Sequence, residues 1–115
     1  MNKITIAGRV GQDVEIRSTA NGRVAILSVA TDEGYKDRET GDWVERTQWH
    51  RVVSYQNGLI DMLERHGRKG RSVAVSGTMI YREWTREGES SPRISPEIQV
   101  DLKGEIEFLS SLPRE

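Results

Sequence analysis

The chain has 115 residues, with 17 Lys and Arg against 18 Asp and Glu, and no Cys. That length supports one domain with a modest core. The missing Cys excludes disulfides and thiolate metal sites and fits a reducing, cytoplasmic setting. No apolar run of about eighteen residues occurs, and the opening MNKITIAGRV lacks the apolar block of a signal peptide, so no membrane association is expected. The near-neutral total conceals an asymmetry: residues 1–86 hold 14 basic against 11 acidic side chains, and residues 87–115 hold 3 against 7. Basic groups can therefore gather on one face while the last part of the chain stays acidic.

Asn2 to Val10 alternates, with Ile4, Ile6 and Val10 on one side, and is predicted as the first strand; Gly8 and Gly11 signal a bulge or bend. Gln12-Asp13 reads as a turn, Val14 to Arg17 as extended chain, and Ser18 to Gly22 as a second turn because it ends in Asn-Gly. Arg23 to Thr31 is the predicted second strand. Asp32 to Asp42 is polar and charged and reads as a projecting hairpin arm carrying Tyr35, Lys36 and Arg38. Trp43 to Tyr55, WVERTQWHRVVSY, has no Gly or Pro and is predicted as one long third strand. Period two puts Trp43, Trp49, Arg51, Val53 and Tyr55 on one side and Val44, Gln48, His50 and Val52 on the other. Neither side is cleanly apolar.

The spacing of Leu59, Met62, Leu63 and His66 predicts a helix over Asn57–Gly67, with Asn57 as N-cap and Gly67 as its stop. Arg71 to Arg86 is predicted as the fourth strand. Ile94 to Leu109 is predicted as the fifth, interrupted at Pro96 and Gly104. Residues 1–110 then make one domain and 111–115 a short polar end. The expected fold is all-β: a five-stranded Greek-key barrel with one short helix between strands 3 and 4, the OB-fold. Other small β-barrels with one helix fit the same pattern.

Candidate functional residues come from aromatic and basic side chains interleaved on strands. Arg82-Glu-Trp84-Thr-Arg86 places two guanidiniums around a ring at period two, which suits a groove that tracks a phosphate backbone and stacks bases. The bland alternative is an exposed strand end with a chance Trp. Trp49, Arg51 and Tyr55 repeat the pattern, although a mid-strand Trp is more often core. Tyr35 and Lys36 lie on the charged arm. Trp43 lies at its foot, where packing explains it equally well. Arg68-Lys69-Gly70-Arg71 offers phosphate contacts, or ordinary solvated charges. His50 and His66 are 16 apart with no Cys and no HxxxH spacing, so neither a metal site nor any other cofactor is expected. Asp37, Glu39 and Asp42 read as a solvated arm.

The block Glu45-Arg46-Thr47-Gln48-Trp49-His50-Arg51-Val52-Val53 resembles the bacterial single-stranded DNA-binding protein family. So do the opening MNKITIAGRVGQDVEIRSTANG, Tyr35-Lys36-Asp37, Lys69-Gly70, Val75-Ser76-Gly77 and Arg82-x-Trp84, across about residues 2–109. The resemblance implies an OB-fold, a homotetramer (with a dimer as the fallback) and sequence-nonspecific binding and protection of single-stranded DNA in replication, recombination and repair. It also implies a bacterial, cytoplasmic, nucleoid-associated setting and no catalysis. It places stacking rings at Tyr35, Trp49, Tyr55 and Trp84 and a subunit-interface residue at His50. The family usually has Trp where this chain has Tyr35, and Phe where it has Tyr55. Phosphate contacts are expected from Lys36, Arg51, Arg68, Lys69, Arg71, Arg82 and Arg86.

Two departures from the family pattern stand out. Pro96 falls where the family has a continuous strand, which sets pairing there, and with it tetramer assembly, in question. Family members usually end in a Gly/Pro/Gln-rich linker and an acidic tip; this sequence ends Leu112-Pro113-Arg114-Glu115. The expectation is a chain cut to its DNA-binding core or a tailless variant, and for a tailless variant recruitment of replication and repair proteins is not expected. Two other readings compete. One is a primosome-type OB protein, usually dimeric, whose main work is protein contact. The other is a nuclease on a similar barrel, disfavoured because no acidic pair sits beside a plausible metal pocket.

Overall fold

The computed structural model describes residues 1–109. Its elements are β1 (Ile4–Val10), β2 (Glu15–Thr19), β3 (Gly22–Asp32), β4 (Tyr35–Lys36), β5 (Trp43–Val44), β6 (Thr47–Ser54), α1 (Asn57–His66), β7 (Ser72–Trp84), β8 (Arg93–Gln99) and β9 (Glu105–Phe108). β1 pairs with β3 and with β7, β3 with β6, β6 with β8, and β8 returns to β7. Five strands thereby close on themselves. All pairings in this ring are antiparallel except β6–β8, which is parallel through Val52 opposite Ile98 and Val53 opposite Gln99. A closed Greek-key ring with its helix between the third and fourth barrel strands is the OB-fold. The predicted domain end at 110 and the polar end at 111–115 lie outside the described residues.

The core is aliphatic and is built from alternate positions of the ring. Leu27, Val29, Val52, Val73, Val75 and Ile98 point inward, and Val10, Val100 and Ile106 join them. Ile60 and Leu63 of α1 add the helix contribution, with Leu59 and Met62 packed partly against them. The expected stripe is thus shifted by one residue toward Ile60. The helix N-cap is Gln56, whose side chain accepts from the Leu59 amide at 2.9 Å, and not Asn57 as predicted. At the other end the Gly67 amide donates to the Leu63 carbonyl at 2.7 Å.

β1 is shared by two neighbours, and its crossing from β7 to β3 brings backbone against backbone. A Cβ on Gly8 would lie 2.1 Å from the Ala30 carbonyl oxygen, an atom that cannot swing aside. Gly8→Ala is therefore expected to destabilise the barrel by about 1–3 kcal/mol, the usual cost of overpacking. A lowered urea midpoint with unchanged slope would report it.

Two predicted features are corrected and one holds. The third strand is not continuous from Trp43 to Tyr55: Trp43–Val44 pair with Tyr35–Lys36 in a separate two-stranded arm, and the barrel strand starts at Thr47. The fifth region breaks before Glu105, at Gly104 as expected, and the piece beyond it, β9, adds to β7. Pro96 does not interrupt β8. It sits opposite Tyr81 of β7, and the ladder to β6 begins only at Ile98. Beside Pro96, β8 therefore has one hydrogen-bonded neighbour, which leaves an open edge that can accept a residue without an amide proton.

Candidate nucleic-acid interface

The inward set fixes the outward set. On β6, Val52 faces the core, so Thr47, Trp49 and Arg51 face out, while Val53 on the same side is buried. On β8, Ile98 faces the core, so Arg93, Ser95, Glu97 and Gln99 face out. The register between β7 and β8 places Arg82 opposite Ser95 and Trp84 opposite Arg93, so Ile80, Arg82 and Trp84 share that outward face. Tyr55, just past the end of β6, continues the series. One outer surface thus carries Trp49, Arg51, Tyr55, Arg82 and Trp84.

Side-chain bonds tie this surface together. Arg82 donates from Nε to Glu97 Oε1 at 3.0 Å and from Nη2 to the Tyr55 hydroxyl at 3.1 Å. Arg51 Nε approaches Glu97 Oε2 at 3.3 Å. Bonds first to Glu97 and then to Tyr55 hold the Arg82 guanidinium above its ordinary pKa, so it is charged throughout the accessible pH range. Trp84 Nε1 donates to Ser95 Oγ at 2.7 Å, and the Arg93 guanidinium lies 5.7 Å over its ring. That contact is within cation–π reach. Arg93 is in turn held by Glu89. The six-membered ring of Trp49 lies against Gly11, where an added Cβ would come within 2.3 Å of it. Trp49, Tyr55 and Trp84 remain between 41% and 64% exposed as residues. Each is held at one side or edge and open to solvent elsewhere.

The sequence profile of the Single-strand binding protein family matches residues 1–109. This chain belongs to that family. Its members are binding proteins and not enzymes. The chain is 45% identical over 85 residues to a single-stranded DNA-binding protein of Rickettsia felis, an alignment covering 73% of this chain and 56% of that one. A Rickettsia conorii protein of the same description is 44% identical with the same coverage. The chain thus spans little more than half the length of these relatives. Its structure is similar to that of a Plasmodium falciparum SSB in complex with ssDNA, at a TM-score of 0.85 and 38% identity over 96% of each chain.

The positions singled out for this family from sequence fall into three groups and two separate residues, Arg86 and His50. Trp49, Arg51, Tyr55, Arg82 and Trp84 come together as above. Tyr35 and Lys36 sit on the exposed arm, opposite Val44 and Trp43. Trp43 packs over Gly34 of the same arm. Arg68, Lys69 and Arg71 occupy the turn between α1 and β7, which is fastened to β1 by the Gly70 amide on the Val10 carbonyl. There the Lys69 amide donates to Asp13, and the Arg71 guanidinium lies 4.7 Å over the Phe108 ring. No bond among the described residues joins this turn to the Arg51–Arg82 group. Arg86 lies beyond the end of β7, in the β7–β8 connection. His50 is on the inward face, half-buried, with Nε2 2.8 Å from Thr31 Oγ1.

Four residues of the face escaped sequence reasoning: Glu97, Ser95, Arg93 and Gly11. The first three were legible only through the β7–β8 register. Reading Pro96 as a break hid the period-two series Arg93, Ser95, Glu97. No helix among the described residues is long and apolar enough to cross a membrane.

Proposed function

We propose that this chain binds single-stranded DNA without sequence preference and protects it during replication, recombination and repair. The observation that carries the reading is the outer face of β6, β7 and β8, where three exposed rings alternate with guanidiniums. Bases stack on Trp49, Tyr55 and Trp84, and on Tyr35 of the arm; such contacts are tolerant of sequence because every base has a flat face. Arg51, Arg82, Arg86, Lys36 and the turn Arg68, Lys69 and Arg71 neutralise phosphates and release counterions. The likeness to an SSB in complex with ssDNA supports this assignment.

In this reading the working unit is a homotetramer, with a dimer as fallback, and His50 lies at a subunit contact. The setting is the bacterial cytoplasm, on the nucleoid. No cofactor takes part. Titration with oligo-dT, followed by tryptophan emission at several salt concentrations, tests the proposal. Strong quenching and an affinity that falls with salt are expected; unchanged emission at low salt would sink it and favour a protein-contact accessory.

A further inference from the structure

Glu97 is a carboxylate on the outward face of an exposed strand, yet it is only 3% exposed. It is covered because Arg51 and Arg82 lie across it, each bound to a different oxygen. Stability does not account for such a group, since an apolar side chain at a roofed strand position serves at least as well as a buried ion pair. The covering guanidiniums are themselves about half exposed, at 50% and 53% for their side chains. Part of each side chain therefore stays open to solvent while its Nε faces Glu97, and Arg82 Nη2 is engaged as well, with Glu97 and Tyr55. Both belong to the face assigned to phosphates.

We infer that Glu97 is a positioning residue for that face: it orders Arg51 and Arg82 as a fixed pair and cancels one of their two charges before any nucleic acid arrives. The inference rests on the single-stranded DNA reading above. Its physical content has two parts. Long, rotamer-rich side chains ordered in advance lose less freedom on binding. A face with one positive charge fewer also neutralises fewer phosphates and releases fewer of the counterions condensed on the nucleic acid, so its affinity responds less steeply to salt.

The two parts are separable by substitution. Glu97→Gln keeps the shape and an acceptor but removes the charge. Its log affinity for oligo-dT is expected to fall with log salt more steeply than wild type, by up to about 0.7 in slope, one single-strand phosphate equivalent. The two lines should cross, with the variant equal or tighter at low salt and weaker at high salt. Glu97→Asp keeps the charge but withdraws it by one methylene; its line should lie below wild type and parallel to it. A merely structural defect moves affinity without steepening the slope. An unchanged Glu97→Gln slope in a variant that melts like wild type would overturn the inference while leaving the DNA reading intact. Wild type that fails to bind oligo-dT at all would end both.

A measurement on the unaltered protein guards against a variant that does not fold. Nitrogen-15 spectra of the free protein should show the Nε–H signals of Arg51 and Arg82 slow to exchange, unlike that of Arg68. Averaged, fast-exchanging signals for all three would overturn the inference by themselves.

Discussion

Removing the rings of Trp49 and Trp84 together is expected to weaken oligo-dT binding by about 2–6 kcal/mol, which is roughly thirtyfold to 10⁴-fold. Each base–aromatic stack is worth about 1–3 kcal/mol by alanine substitution. The two rings share no hydrogen-bond partner, so their effects should add to within a few tenths of a kcal/mol. Trp84 carries its own evidence of preparation: the Ser95 hydroxyl fixes its tilt and Arg93 lies over its ring. Trp49 is set by Gly11. Neither ring supports the core, so the thermal midpoint should shift little. Fluorescence anisotropy of a labelled oligo-dT reads the affinity without relying on the deleted chromophores. A double variant within threefold of wild type would show that these rings do not stack on bases.

The face was readable from sequence where period two alone decides which way a side chain points. Trp49-His50-Arg51 lies inside β6 and Arg82-Glu83-Trp84 closes β7, and alternation put their rings and guanidiniums on one side correctly. It failed where a strand's limits depend on a distant partner. Trp43 continues the alternation of Trp49 and Arg51, yet it belongs to the arm, because Asp42 and Trp43 turn back to pair beside Tyr35 and Lys36. Nothing local to Glu45-Arg46 marks that break. Glu97 failed for a related reason. A carboxylate next to Pro96 reads as loop until the register brings Arg82 and Arg51 over it, and those partners lie 15 and 46 positions away in the chain.

Replacing both covering arginines by methionine is expected to cost about 3–5 kcal/mol of stability, the penalty for leaving a buried carboxylate without its cations. Methionine matters to the argument. Its unbranched side chain keeps much of the roof over Glu97 while taking away both charges and every N–H donor. Arg51→Ala with Arg82→Ala should cost less, because truncation opens the carboxylate to water, which solvates it. Tyr55 alone does not replace the cations, since one hydroxyl offers one donor. For a domain of this size the methionine pair should lower the thermal midpoint by on the order of 15 °C or more. Adding Glu97→Gln to it removes the stranded charge and should restore most of that loss. The triple variant is then folded but carries neither guanidinium, and its oligo-dT affinity should stay low. Stability that returns without binding would separate what Glu97 costs the fold from what the arginine pair does for the ligand. A methionine pair that melts within a degree or two of wild type would mean that Glu97 is hydrated in solution and that the pairing does not order the face.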